Sequence, residues 1–433
     1  MKSVRSRRIA GVVGAAAVLV TAAACGSSGP SKSSGSSASG GAGGAGGSTS
    51  GVTLQVLIGS SGDAETNAVV AAGNAWAAKT GNKVVVTPAK DLTQQLTQSL
   101  AGGTPPDIFY VDASKFQGLV KGNALADVGE KITDSADMYP NLQKAFTANG
   151  KYYCVPKDFS TLALEINTDM WTKAGLTDAD VPTNWDQLET VAKKLTGNGV
   201  AGLVMSDTLD RVGAFMRQAG GSVVSADGTL GSNQSQITAD SPQNLQALQY
   251  LQKLAKEGAL KFPKQVDAGW GGEALGKGKA AMTIEGNWIV GAMQKDYPNV
   301  HYKVVPLPAG PSGNATLSFT NCWGVAQKSS HQAAAVDFVN YLTTVDQQMS
   351  FAKAFGVMPS RQAAKSQFAS QFPDQAAFVT GADNAFGPVG FPGFDAVQKD
   401  FDSKIQGLSD GSSDPKSMLS SLQKNASDAL SNN

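Results

Sequence analysis

Between Thr53 and Val111 the chain alternates between short β-branched runs and longer amphipathic ones, and this alternation limits the fold more than any other feature. Thr53 to Ile58 reads as a strand, and Ala64 to Lys79 as a helix that begins after Asp63 and stops at Gly81. Lys83 to Thr87 is strand-like again. Leu92, Leu96 and Leu100 line one face of a second helix, which Gly102-Gly103 ends, and Asp107 to Val111 follows as a third strand. A β-α-β-α-β order needs crossover connections, hence a parallel sheet covered by helices and an α/β fold class.

Further helices are punctuated clearly. Ser241-Pro242 supplies an N-cap and a proline at the first helical position, Leu245, Leu248, Leu251 and Leu254 follow as an inward face, and Gly258 closes the segment. Thr183 and Asp186 bracket Trp185 in a capping-box-like start, with Leu188, Val191 and Leu195 facing inward. Ala335, Phe338, Val339 and Leu342 repeat at helical spacing and read as core.

The N-terminus is of another kind. Lys2, Arg5, Arg7 and Arg8 precede the apolar run Ile9 to Ala24, and Cys25 follows it. The order is that of a secretory signal peptide. Residues 9 to 24 fall short of the roughly 20 needed to span a bilayer. Residues 26 to 51 hold almost no side chain able to form a core and read as a Gly/Ser tether reaching on the order of 25 to 30 Å. The segment resembles a bacterial lipoprotein signal, which implies Cys25 as the lipidation site, although Ala22 stands where such signals usually carry leucine. The alternative is an ordinary signal peptide with Cys25 a bystander.

Charge excludes one class of partner. Without the five basic residues of leader and tether the chain carries 30 basic against 35 acidic residues, so nothing invites nucleic acid. The remaining length is enough for two domains with real cores. Beyond the tether there are two cysteines, Cys154 and Cys322, too few for a disulfide-built scaffold. In an oxidising compartment they can pair or sit apart as buried thiols.

Several chemistries lack material. The only histidines, His301 and His331, lie in no metal-ligand or triad pattern. Gly271 and Gly276-Lys277 match most of a phosphate-binding loop, but Gly278 stands where Ser or Thr is required for magnesium, and the segment reads as a turn before a strand over Ala280 to Ile284. What remains is a set of polar and aromatic residues at strand ends, where an α/β sheet presents its ligand crevice. They are Ser61, Asp63, Asp112, Asp158, Trp270, Glu285, Trp288, Asn321 and Trp323. Indole faces pack on the C–H faces of sugar rings while carboxylates and amides bond hydroxyls, so the combination suits a saccharide pocket. Each tryptophan can equally be core.

Six ordered blocks sharpen this. GGTPPDIFYVDASKFQGLVKGNAL, GKYYCVPKDFSTLALEINTDMW, PTNWDQLETVAKKLT, GKGKAAMTIEGNWIVGAM, TNCWGVAQKSSHQAAAVDFVNYL and FGVMPSR resemble the signature blocks of extracellular solute-binding protein family 1. These are the sugar-binding subunits of ABC importers, the maltose-binding-protein-like group. The likeness covers essentially all of residues 52 to 433. It implies a two-lobed, type II periplasmic-binding-protein-like α/β fold with discontinuous lobes joined by a hinge. Residues 52–157 plus 326–360 would form lobe 1, and 162–322 plus 361–433 lobe 2. The chain would pass between them near 157–161, 323–326 and 359–361.

The same resemblance places Trp288, in a Gly-Asn-Trp block, where relatives carry a Gly-Pro-Trp whose indole stacks on sugar. Asp158 and Trp323 would floor the cleft, Asp112 would contact ligand from lobe 1, and Trp270 and Phe391 would wall it from lobe 2. Arg361 would tie the hinge, and Cys154 and Cys322 would lie on neighbouring strands close enough to bridge. The expected function is capture of a sugar by hinge closure and delivery to an ABC permease, as a monomer anchored to the outer face of the membrane, with no cofactor. Rival readings are a binding protein for a polyol, amino compound or peptide, and a secreted glycoside hydrolase. The hydrolase would pair two carboxyls roughly 5 to 10 Å apart, such as Asp112 with Asp158 or Asp158 with Glu285.

Overall fold

A computed structural model describes residues 50–225, 236–387 and 389–432. Cys25, the leader and all but the last two residues of the tether lie outside them. In chain order the strands are β1 (Thr53–Ile58), β2 (Lys83–Pro88), β3 (Ile108–Asp112), β4 (Thr147–Ala148), β5 (Lys151–Tyr152), β6 (Cys154–Pro156) and β7 (Ser160–Asn167). They continue with β8 (Ala201–Met205), β9 (Leu260–Lys261), β10 (Ala280–Gly286), β11 (Tyr302–Val305), β12 (Thr316–Phe319), β13 (Asn321–Val325) and β14 (Ala385–Phe386).

The alternating N-terminal segment folds as the parallel unit its pattern requires, with β1 between β2 and β3. Helix Asp63–Thr80 ends on Gly81, whose φ of 74° is the left-handed conformation that glycine adopts without a Cβ clash. Helix Leu92–Ala101 starts where the Asp91 side chain accepts a hydrogen bond from Gln94 N at 2.9 Å. The sheet is completed from far along the chain: its order is β2-β1-β3-β13-β6, and β13 runs antiparallel to both neighbours. Cys154 on β6 and Cys322 on β13 form a disulfide, their Cα atoms 5.6 Å apart. Helices Gln332–Leu342 and Val345–Phe355 pack with the first helix on this sheet, burying Trp76, Phe338 and Phe351 with Leu54, Val56 and Phe109.

The second lobe is a seven-stranded sheet of order β14-β12-β7-β10-β8-β9, with β11 also on β7. Its core joins Leu164, Leu203 and Met282 to Leu248, Leu251, Phe401 and Leu422 from the helices around it. Three short passages join the lobes. Lys157 to Phe159 links β6 to β7, Thr320 links β12 to β13, and the chain after Gly356 returns past Phe159, which bridges Met358. Arg361, beside the third passage, donates to the carbonyls of Thr343, Asp134 and Thr133.

Three expectations are corrected. The second passage falls at Thr320 rather than at 323–326, because Asn321 to Val325 is registered strand-to-strand with β3. Asn321 and Cys322 therefore belong to the first lobe. Helix Trp185–Leu195 is capped not by Thr183 with Asp186 but one residue along. The Asn184 side chain accepts from Gln187 N, and Gln187 reaches back to Thr183 N at 2.8 Å. Leu245 is only half-buried, since it sits in the first turn of its helix at the edge of the core.

Strand directions then fix where a site can be. β6 runs parallel to β1 and β3, and the start of β7 lies beside the end of β10, which is parallel to β8. The three-residue link from Pro156 to Ser160 thus brings the carboxyl ends of the parallel strands of both sheets together, the usual place for a crevice.

Candidate functional site

On the first lobe the crevice is organised by a buried carboxylate. Glu65, in the first turn of helix Asp63–Thr80, accepts from Ser61 N and Oγ, both at 2.7 Å, from Tyr110 Oη at 2.9 Å and from Lys157 Nζ at 2.9 Å. Lys157 also pairs with Asp158 and lies 4.8 Å from the centre of the Tyr110 ring. Burial pushes the Glu65 carboxyl up, but the Lys157 ammonium and the Ser61 bonds outweigh it and hold the group below its usual range. Burial likewise works against the charged lysine, and its two carboxylates hold its pKa up. Asp158 is raised, because burial exceeds the pull of Lys157 and Glu65 adds to the rise. Ser61 and Asp158 are therefore joined through two groups that sequence reasoning did not single out, Glu65 and Lys157.

Asp63 lies outside this cluster, exposed at the start of its helix. Asp112 is exposed at the end of β3, where it caps helix Ala113–Lys121 by accepting from Ser114 N at 2.8 Å. Asn321 is its partner in register on β13.

The second lobe presents an aromatic surface held by another buried acid. Glu285, 0% exposed near the end of β10, accepts from Ser206 Oγ at 3.1 Å, Arg211 Nη2 at 2.5 Å and Trp288 Nε1 at 3.1 Å. The Trp288 indole is 37% exposed and lies over Gly286, where a Cβ would come within 2.2 Å of the ring. No other residue could let it lie so close. Phe319 meets it edge-on at 5.3 Å, and the Arg211 guanidinium stands 5.1 Å from the indole centre and 5.7 Å from the phenyl centre. Beneath them Glu165 accepts from Glu285 N at 3.0 Å; burial, then the neighbouring Glu285 charge, pushes its carboxyl well above the usual range. Trp270, half-buried, covers Gly272 in the same way. Asn287 bonds Ser160 Oγ and the Gly356 carbonyl, tying this loop to two of the three passages.

An expected floor residue and an expected wall residue do not reach the crevice. Trp323 is 1% exposed: it lies two residues deeper on β13 than Asn321 and packs edge-on against Tyr110 at 4.7 Å. Phe391 is 3% exposed and packs on Phe394 in the core of the second lobe. Arg211, Ser206 and Phe319, which do belong, were not singled out. Phe319 had a signal, standing two residues before Asn321 on a strand approaching the passage; Arg211 had none beyond one charge in a helix start.

Residues 35–349 match the family model for bacterial extracellular solute-binding proteins. The chain belongs to that family. Among its relatives is an uncharacterized ABC transporter extracellular-binding protein of Pyrococcus horikoshii, 28% identical over 285 residues, or 63% of this chain and 62% of the relative. The chain thus spans somewhat under two thirds of that relative. The diacetylchitobiose binding protein DasA of Streptomyces coelicolor is 25% identical over 320 residues, or 71% of this chain and 73% of that one. The solved cyclic alpha-maltosyl-1,6-maltose binding protein of Arthrobacter globiformis superposes with a TM-score of 0.77 at 22% identity, covering 88% of this chain and 99% of that one. The solute-binding protein therefore has the two-lobed α/β fold of the type II class. Its buried crevice charges pair internally, Arg211 with Glu285 and Lys157 with Glu65 and Asp158, beside an exposed indole face.

Proposed function

We propose that this solute-binding protein is the extracytoplasmic capture subunit of an ABC importer and holds a sugar between its lobes. The observation that carries the reading is Trp288: a half-exposed indole on a glycine floor, fixed through its Nε1 by a buried glutamate, beside carboxylates whose charges are already met. A neutral ligand with an apolar ring face and a rim of hydroxyls uses all of this. The names of DasA and of the Arthrobacter protein, both sugar binders, support the choice.

The sugar favours a closed form because it touches both lobes at once, and closure about the three passages presents a docking surface to the permease. A lipid on Cys25 and the Gly/Ser tether keep the domain near that permease, raising its effective concentration as a monomer. The reading is binding without turnover. Asp158, which both candidate hydrolase pairs would need, and Glu285 are each committed to a cation.

A thermal-shift screen over saccharides tests it. A ligand that binds only the folded state adds about 2.7 kcal/mol at a hundred times its Kd, so a true solute raises Tm clearly. No shift with any saccharide would overturn the reading.

A further inference from the structure

The two lobes also touch each other away from the three passages. β14 is the edge strand of the second sheet and runs parallel to β12, so it points the chain toward the level of Phe319. Beyond it Gly390 and Asp395 meet the first lobe. A Cβ on Gly390 would lie 3.0 Å from the Ala113 carbonyl oxygen and 3.1 Å from Ser114 Cα, a close approach of two backbones. Five residues on, the Asp395 carboxylate pairs with Lys115 Nζ at 2.8 Å. Ala113, Ser114 and Lys115 directly follow Asp112, which pairs with Asn321 beside the second passage. The lobes also come near each other at Asp210, whose carboxyl is raised by burial and by the Asp112 charge, against the pulls of Arg211 and Gln398. Arg211, which stands 5.1 Å from the Trp288 indole centre, directly follows Asp210, and Asp210 accepts from Gln398 Nε2 at 3.2 Å, one turn beyond Asp395, so the contact between the lobes stands on the Arg211 side of the indole.

We propose that the contact of Gly390 and Asp395 with Ala113 to Lys115 makes this a blind-ended site, which grips the terminal ring of a linear saccharide and measures its length. Ligands of one or two rings fill it. A ring-closed saccharide has no end to offer, and a long chain has nowhere to run on that side. Lys115, Gly390 and Asp395 are thus specificity-determining residues, acting on length without touching the stacked ring.

The inference rests on the sugar-binding reading, and the experiment separates the two. Binding of linear gluco- and N-acetylglucosamine saccharides of increasing length, and of cyclodextrins, is measured by calorimetry on the full folded chain. The expected result is binding of the one- and two-ring forms, less than about a threefold gain from a third ring, and cyclodextrin affinity at least about a hundredfold weaker than the best linear ligand. The Lys115→Glu variant, which sets two like charges against each other at an exposed position, is expected to narrow that gap to tenfold or less by opening the wall. Affinity that climbs about tenfold with each ring through the longer chains, or cyclodextrins that bind the natural chain as well as linear sugars, overturns the blind end and leaves the sugar reading standing. An unchanged length profile in Lys115→Glu removes these residues as its cause. Absence of binding by every saccharide overturns both.

Discussion

Lys157 holds two buried carboxylates and faces two aromatic rings, so its removal leaves two buried negative charges without their cation. Lys157→Met is expected to lower unfolding free energy by about 3 to 5 kcal/mol in urea titrations at neutral pH. The Glu65 part of the stability depends on pH in a definite direction. Its folded-state pKa lies below the ordinary 4.5, so its contribution is present above that value and is lost as pH falls through the lowered one. The deficit of Lys157→Met should therefore shrink on acidification, and a constant deficit would argue against a charge origin. Trp288→Ala should weaken sugar binding at least about tenfold, or 1.4 kcal/mol, with little change in unliganded Tm, because the indole is partly in solvent already. Trp288 and Glu285 were legible because residue type and strand-end position both pointed to them. Trp323 misled for the same reason: a tryptophan one turn of the pleat deeper has the same type and almost the same position, but a fully buried environment. Glu65 and Lys157 were hidden because a helix start and a passage 92 residues away meet only in three dimensions.

At the scale of elements, the local alternation of β1 to β3 was readable because parallel units are built from neighbours in sequence. The resemblance placed Cys154 and Cys322 on neighbouring strands, but the insertion of β13 between β3 and β6 was not read, since no short-range pattern encodes a partner about 200 residues distant. The disulfide staples that insertion, closing a loop with a sequence separation of 168 residues. Replacing both cysteines by alanine should cost about 2 to 5 kcal/mol of stability, measured by calorimetry, while sugar affinity stays within about twofold. A second element-level case is the start of helix Leu209–Gln218. There the Asp402 side chain accepts from Leu209 N at 2.6 Å, yet its pKa is raised to about 7 by burial, with help from Asp210 and Asp207. A raised acid contributes stability at low pH and loses it as pH rises through the folded value. Asp402→Asn keeps the acceptor without the charge. Its stability should gain on the natural protein between the ordinary 3.8 and about 7, and the two curves should run parallel below that window.

For the whole molecule, closure about three passages predicts a measurable contraction. Small-angle scattering should give a smaller radius of gyration with saturating sugar than without, and an unchanged radius would remove hinge closure from the mechanism. Cys25→Ser should release the protein to the medium with sugar affinity intact, as expected if the anchor serves location alone. The interleaving of the lobes has a consequence for biogenesis. Because β13 is an inner strand of the first sheet, β3 and β6, built from residues before Lys157, cannot pair the edges they share with it until residues 321 to 325 exist. A ribosome must therefore complete three quarters of the polypeptide before the first lobe closes, and Cys154 waits as a free thiol for its partner throughout. Completion of the first lobe is thus tied by topology to synthesis of the second.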